Sequence, residues 1–169
     1  GRRSDLARLL ARDELARTWE HGLRRLLGEA EAGSDTQLTF AQSYARAVVT
    51  EAGGDDLEAL LDGGLTFEGL AVDDDLRWVL VTELARLGRV DDARIDAEAE
   101  RDGTISGQQH AAAARASLPT AEAKAAAWQR AMLDPETPNE TSRSIVGAFM
   151  RGGQDDVLEP YVQRYLDVV

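Results

Sequence analysis

Apolar residues recur at helical spacing along the whole chain, and no stretch shows the sustained alternation of polar and apolar residues that marks a strand. In the first segment they lie mostly three, four or seven positions apart: Leu6, Leu9, Leu10, Ala16, Trp19, Leu23, Leu26, Leu27 and Ala30. The one irregularity predicts a bend near Asp13. Gly33 is a suitable helix stop, and Ser34 with Gln37 three residues later predicts a capping box at the start of a second helix.

The second helix is predicted to bury one apolar face and to break at Gly53–Gly54. Its face consists of Leu38, Ala41, Ala45 and Val48, with Phe40 and Tyr44 beside it. A short helix is then expected over residues 55–61. Asp73 is the predicted N-cap of the next helix. That helix is apolar on almost every side, which is typical of a buried element, through Leu76, Trp78, Val79, Leu80, Val81, Leu84 and Leu87.

Further stop and cap residues divide the rest of the chain. Gly88 is predicted to end the buried helix, and Asp91 or Asp92 starts a partner that runs to about Arg101. Gly103–Thr104 predicts a turn and a cap before the strongly helix-forming run from Ala111 to Ala116. Pro119–Thr120 then predicts a break and a new cap, followed by a helix that packs through Ala121, Ala125, Trp128 and Met132.

The last two predicted helices each carry an apolar face. Asn139 is the predicted cap of the first, Gly152–Gly153 ends it, and its face holds Ser142, Ile145, Val146, Phe149 and Met150. Pro160 is predicted to occupy the first turn of the second, which holds Val157, Tyr161, Val162, Tyr165 and Leu166.

The succession of helix, short turn and helix predicts an all-α chain. Short connections make neighbouring helices antiparallel, and successive pairs of roughly 30–40 residues predict a HEAT/armadillo-like α-solenoid of antiparallel helix pairs. Residues 84–93 resemble the turn of a tetratricopeptide repeat, but about 34 residues later its glycine is replaced by Glu122. No linker-like segment interrupts the pattern, so residues 1–169 are predicted to form a single helical domain.

The acidic composition of the chain indicates which kinds of partner are unfavourable. A formal net charge of −12 over 169 residues disfavours nucleic acid and anionic membrane surfaces. The sequence contains no cysteine, no signal-peptide pattern and no apolar run near the roughly 20 residues of a membrane span. A cytoplasmic setting is therefore expected. Lys124 is the only lysine, and this preference for arginine, together with abundant alanine, is typical of a high-GC bacterial genome.

Two histidines are the first candidates for metal chemistry. A zincin helix needs two histidines four residues apart with a glutamate between them. Around His21 those positions hold Arg17 and Arg25, and His110 is followed four residues later by Ala114. We therefore interpret both histidines as surface or packing residues.

Four acidic pairs and triplets invite a calcium interpretation, but none has the alternating ligands and terminal glutamate of an EF-hand loop. They are Asp55–Asp56, Asp73–Asp75, Asp91–Asp92 and Asp155–Asp156. Each is interpreted as helix capping. The tryptophans Trp19, Trp78 and Trp128 all lie on apolar stripes and are predicted to pack in the core.

Four groups of segments, in this order, carry a resemblance to a known family. They are Ala32–Leu38; Gly69–Trp78 with Leu87–Arg89; His110–Ala116 with Pro119–Lys124 and Trp128; and Pro138–Asn139 with Arg143, Phe149 and Leu158–Tyr165. Together they resemble the C-terminal helical domain of the aminopeptidase N family of zinc metallopeptidases, in its actinobacterial form.

The resemblance implies that the chain is a slice of a larger C-terminal domain, truncated at both ends. The family's catalytic motifs, H-E-x-x-H with a more distant glutamate and G-A-M-E-N, belong to an upstream domain and match no position here. No catalytic, cofactor-binding or metal-binding residue is therefore assigned, and zinc is expected in the catalytic domain of the parent protein. The implied role is a helical bowl that covers the zinc site and encloses the peptide cavity.

The resemblance also implies the partners: the catalytic domain of the same polypeptide, and peptide substrates. This chain alone is predicted not to be an enzyme, whereas the parent removes N-terminal residues from peptides. A free-standing α-solenoid that binds another protein is the alternative interpretation. Because a cut solenoid exposes apolar faces, weak self-association is expected through the final helix, at Tyr161, Val162, Tyr165, Leu166, Val168 and Val169.

Overall fold

A computed structural model describes the backbone of residues 2–168 and the side chains of residues 7–167. No strand occurs among these residues, and the prediction of an all-α chain is confirmed. The helices are α1 (Arg2–Glu29), α2 (Asp35–Ala47), α3 (Glu51–Asp62), α4 (Asp74–Arg86), α5 (Asp92–Asp102), α6 (Ile105–Ser117), α7 (Ala121–Trp128), α8 (Asn139–Phe149) and α9 (Asp155–Val168). A π-helical turn, Gln129–Leu133, continues α7.

The chain divides into two compact units, one up to Leu80 and the other from Val81, and the division falls within α4. In the first unit α1 packs against α2. The buried apolar side chains of this unit are Leu23, Leu27, Ala41, Tyr44, Ala45, Val48, Leu57, Leu60, Leu61, Leu76, Trp78 and Leu80.

In the second unit α6 is the central helix, because α5, α7 and α8 all pack against it. Helix α9 packs against α7. The core that these helices share comprises Ala112, Ala116, Ala127, Ile145, Ala148, Phe149, Leu158 and Tyr161.

Side-chain caps fix the starts of six of the described helices, as predicted for five of them and found also at Thr50. The Asp73 carboxylate accepts from Leu76 N–H at 3.0 Å and that of Asp91 from Arg94 N–H at 3.0 Å. Hydroxyl oxygens of Thr104 and Thr120 accept in the same way from the amides of Gly107 and Ala123. Each bond satisfies a donor that a helix start leaves without an intrahelical partner.

The capping box at the start of α2 is formed with one change. The Ser34 hydroxyl accepts from Gln37 N–H at 3.1 Å, as predicted. The Gln37 side-chain oxygen, however, accepts from Gly33 N–H at 2.9 Å, one residue earlier than the usual partner, because Ser34 N–H already donates to Glu31.

The predicted break at Gly53–Gly54 is wrong. Both glycines lie in the first turn of α3, which begins at Glu51 rather than near residue 55. The boundary between α2 and α3 falls instead at Val48–Thr50, where the Thr50 hydroxyl accepts from Gly53 N–H at 3.0 Å. The predicted bend near Asp13 does not interrupt α1, which runs through it as a continuous helix.

Pro160 and Asn139 also take other positions than predicted. Pro160 lies inside α9 rather than in its first turn, and it is exposed, so solvent can hydrate the carbonyl that its missing N–H leaves without a partner. Asn139 is the first residue of α8, and Pro138 holds the N-cap position with no side-chain bond.

Two predicted apolar stripes are corrected by the observed burial. Ala121 and Ala125 are exposed, and Lys124 and Ala127 are the buried residues of α7. Of the tryptophans, Trp78 is 2% exposed as predicted and Trp128 is half-buried, but Trp19 is 63% exposed. The predicted apolar positions Leu6, Val168 and Val169 lie outside the described side chains.

Candidate functional site

A polar groove of about 520 Å³ lies in the first unit between α1, the end of α2 and the start of α3. Its walls are formed by Arg17, Thr18, Glu20, His21, Arg24, Tyr44, Thr50, Ala52, Gly53 and Asp56. Such a volume is within the usual range of small-ligand sites. The groove is therefore the first place to look for chemistry in this unit.

Glu20 holds the start of α3 from across the groove. Its side chain is buried, and one carboxylate oxygen accepts from Val49 N–H at 2.8 Å and Thr50 N–H at 3.1 Å. The other oxygen accepts from the Thr50 hydroxyl at 2.5 Å. Glu20 therefore supplies negative charge at the positive end of α3 and satisfies two backbone donors there.

Asp56 joins α3 to both other helices of the groove. One of its oxygens accepts from Arg24 Nε at 2.6 Å and from the Tyr44 hydroxyl at 3.0 Å. The Arg24 guanidinium also lies over the ring of Phe67, 4.8 Å from its centroid. Burial raises the pKa of Tyr44 well above its usual value, and the Asp56 charge and hydrogen bond act in the same direction.

The two histidines belong to different units, His21 to the first and His110 to the second. His21 is exposed on α1 in the wall of the polar groove, between Arg17 and Arg24. His110 is half-buried on α6. Within residues 7–167, the structure places no three His, Cys, Asp or Glu side chains where they could hold a metal ion. The residues described here therefore do not fit a zinc site.

The acidic groups proposed as caps take two different roles. Asp73 and Asp91 cap α4 and α5, and Asp155–Asp156 occupy the first turn of α9. Asp55–Asp56 lie inside α3, so the capping interpretation is wrong for them. The sequence did not single out the pairing of Asp56 with Arg24, because the partners are 32 residues apart.

A buried lysine is the main polar feature of the second unit. Lys124 is fully buried, and its Nζ donates to the carbonyl of Ala116 at 2.6 Å and to that of Phe149 at 3.0 Å. These carbonyls lie at the ends of α6 and α8, where intrahelical donors are lacking. Burial, and secondarily the charge of Arg151, lowers the pKa of Lys124 to about 8.

Other polar groups near this lysine connect the ends of α4 and α6 to the segment between α8 and α9. The Gln154 side-chain amide donates to the carbonyls of Ser117 at 2.7 Å and Arg86 at 3.1 Å. The buried Glu83 carboxylate accepts from Arg86 at 2.6 Å and from Arg151 at 3.3 Å. The Gln154 bonds satisfy carbonyls at the ends of α4 and α6, where intrahelical donors are lacking.

An apolar groove of about 440 Å³ lies between α7 with its π-helical turn, α8 and α9. Its base contains three aromatic rings in mutual contact: Trp128 and Tyr161 at 5.3 Å between centroids, and Phe149 and Tyr161 at 5.1 Å. Its rim consists of exposed apolar side chains, namely Val146, Met150, Val162, Tyr165 and Leu166. Exposed apolar surface of this kind typically marks a contact with another helix or protein.

Comparison with known proteins gives the family. Residues 4–169 match the model of the ERAP1-like C-terminal domain. The chain belongs to this family. As a member of the ERAP1-like C-terminal domain family, it is similar to aminopeptidase N of Streptomyces lividans, with 42% identity over 159 residues. The alignment covers 94% of this chain and 19% of that protein.

The comparisons confirm the resemblance that the sequence suggested, and they agree with the all-helical structure. The matched region corresponds to a C-terminal domain. The chain spans about a fifth of the length of that curated relative. None of the described helices is both long and apolar enough to cross a membrane.

Proposed function

We propose that this chain is the non-catalytic C-terminal domain of an aminopeptidase N-like zinc metallopeptidase, where it covers the zinc active site and encloses the peptide cavity. The observation that carries the proposal is the family match over residues 4–169 together with the similarity to aminopeptidase N. The parent is proposed to be a bacterial, cytoplasmic aminopeptidase that removes N-terminal residues from peptides. Its zinc is assigned to the catalytic domain of the same polypeptide.

The packing of the second unit supports a wall built from stacked helices. Helix α6 packs against its neighbours α5 and α7, and also against α8, two helices further along. Stacked helix pairs require contacts both to the next helix and to the one after it, so this packing supports the proposed HEAT/armadillo-like α-solenoid. Such an array forms an extended curved surface suited to enclosing a cavity.

The bonding of three charged groups supports a structural role for this chain. The buried Glu20 carboxylate accepts from two backbone N–H groups at the start of α3, and the half-buried Asp56 carboxylate accepts from Arg24 and Tyr44. The buried Lys124 donates to two helix ends. A general acid or base must instead reach a substrate proton. We therefore propose that the bond-breaking groups belong to another domain of the parent protein, whose zinc would activate water.

The test compares the parent enzyme with and without the segment that corresponds to residues 1–169. If the segment encloses the cavity, its removal should leave cleavage of a small leucine anilide measurable and extend cleavage to longer peptides. An isolated chain of residues 1–169 should carry no stoichiometric zinc and release no amino acid from the same anilide. Zinc-dependent turnover by the isolated chain that His110→Ala abolishes would overturn the proposal.

A free-standing protein-binding solenoid is the second candidate, and the exposed apolar groove between α7, α8 and α9 favours it. The reading frame upstream of residue 1 separates the two candidates. An upstream H-E-x-x-H motif followed by a distant glutamate supports the peptidase domain. Its absence from the same reading frame supports the free-standing module.

A further inference from the structure

The first half of α1 extends well past its partner helix. Helix α1 has 28 residues and α2 has 13, a difference of more than 20 Å at about 1.5 Å per residue. Among residues 7–19, every side chain is exposed except the half-buried Ala16. This segment, called here the α1 arm (residues 7–19), is therefore a helix surface that is almost wholly open to solvent.

One side of the α1 arm is apolar and carries two arginines. Leu15 and Trp19 are one turn apart and are 69% and 63% exposed. Arg8 and Arg12 lie two turns before them, seven residues from Leu15 and Trp19 respectively, and so share their side of the helix. The acidic residues of the arm, Asp13 and Glu14, point to the other side by the same periodicity. The chain as a whole has a net charge of −12, so an apolar face with two arginines is unusual within it.

The apolar groove of the second unit complements the α1 arm, because it combines exposed apolar side chains with acidic ones. Its α9 wall presents Val162 and Leu166, which are 58% and 64% exposed. Asp155 and Glu159 are exposed and lie seven residues before these two, on the same side of α9. Residues 127–167 together hold seven acidic residues and four arginines, so the groove lies in a negative region of the chain.

We propose that the chain associates head to tail, with the α1 arm of one copy lying in the apolar groove of a second copy. Leu15 and Trp19 would contact the apolar wall, and Arg8 and Arg12 would pair with Asp155 and Glu159. The two arginines are four residues apart, and so are the two acidic residues. Each set therefore spans about one helical turn, so both ion pairs can form at once along two packed helices. This proposal does not depend on the proposed peptidase role.

The size of the contact sets its strength. An arm of 13 residues is about 20 Å long, and such a contact is at the low end of specific interfaces, where complexes are weak and transient. Because each copy has one arm and one groove, the contact is heterologous. As proposed, it stays open rather than closing into a ring, so that it continues beyond a dimer as concentration rises.

Sedimentation velocity of the chain over a wide concentration range tests the proposal. The mean mass should rise with concentration without stopping at a dimer, and added salt should weaken the association. Trp19→Glu and Leu166→Glu should each give a monomer, whereas Ile105→Glu should have no effect. All three side chains are exposed, and Ile105 (82%) lies outside the arm and the groove, so each variant is expected to fold.

Mixing the two defective variants gives the decisive result. A Trp19→Glu copy keeps its groove and a Leu166→Glu copy keeps its arm, so an equal mixture should form a dimer and nothing larger. Arg12→Glu mixed with Glu159→Arg should likewise regain a contact that each variant lacks alone. A strict monomer at high concentration overturns the proposal. So does association that survives Trp19→Glu, because it would mean that grooves pair with each other.

Discussion

The carboxylate of Glu20 occupies the space that a side chain at Gly53 would fill. An added Cβ at Gly53 would overlap the Glu20 carboxylate and approach Val48 Cγ1 to 2.8 Å. The glycine is thus the reason that Glu20, on α1, can reach the backbone N–H groups of Val49 and Thr50. The close approach of Glu20, and not a break between helices, explains why a glycine occupies the first turn of α3.

Gly53→Ala should therefore destabilise the first unit although alanine favours helices. Overpacking costs about 1–3 kcal/mol, and the gain in helix propensity recovers about 1 kcal/mol at most. We expect a net loss of about 1–2 kcal/mol in urea unfolding. Gly22→Ala, in α1 with nothing within 4 Å of the added Cβ, should instead raise stability by about 0.5–1 kcal/mol. Equal effects of the two substitutions would contradict the role given to Glu20.

The contrast between Gly53 and the caps shows what local sequence can predict. Asp73, Asp91, Thr104 and Thr120 were predicted correctly because a cap bonds to an amide three residues away. Gly53 depends on a side chain 33 positions earlier in the sequence, which no local pattern contains. The all-helical fold and most helix boundaries were thus predictable, whereas the groove that Glu20 and Asp56 help to form was not.

Trp78 and Trp19 should respond differently to the same truncation. Both lie on apolar stripes in sequence, but Trp78 is 2% exposed and Trp19 is 63% exposed. Trp78→Ala should cost about 3–5 kcal/mol, because it removes a large buried ring. Trp19→Ala should change the free energy of unfolding by less than about 1 kcal/mol. Urea unfolding followed by far-UV circular dichroism measures both, and a small effect at Trp78 would contradict its burial.

Lys124→Met should destabilise the second unit. The substitution keeps the length of the side chain but leaves the carbonyls of Ala116 and Phe149 without their donor. An unsatisfied buried acceptor costs about 1–3 kcal/mol, so a loss of about 2–6 kcal/mol is expected for the two. Arg130→Met removes the same charge from an exposed position and should be nearly neutral. Thermal or urea unfolding of the two variants gives the comparison.

Lys124 also shows why the α7 stripe was mispredicted. A lysine in an alanine-rich helix ordinarily lies on the exposed side, and the spacing of Ala121, Ala125, Trp128 and Met132 predicts a packing face that leaves Lys124 out. The two helix-end carbonyls that accept hydrogen bonds from Lys124 Nζ belong to α6 and α8. No feature of the α7 sequence predicts these partners. That Lys124 is the only lysine in the chain was the one available signal.

The pKa of Lys124 predicts how stability depends on pH. Burial lowers this pKa from 10.5 to about 8 in the folded chain. Between these values the unfolded chain binds the proton and the folded chain does not, so the free energy of unfolding should rise with pH through this window. The full gain is about 3 kcal/mol, and below about pH 8 none of it is present because both states are protonated.

Tyr44 acts in the opposite direction at higher pH, and two variants separate the contributions. Its pKa is raised by burial and by Asp56, so the folded chain keeps the phenol proton after the unfolded chain has lost it, above about pH 10. The stability that this provides is complete below that value and is lost above it, which places the maximum of stability near pH 10. Urea unfolding at a series of pH values should show the rise below the maximum disappear in Lys124→Met and the fall above it weaken in Tyr44→Phe. A rise that persists in Lys124→Met would mean that another group titrates in this window and that the buried lysine does not set the slope.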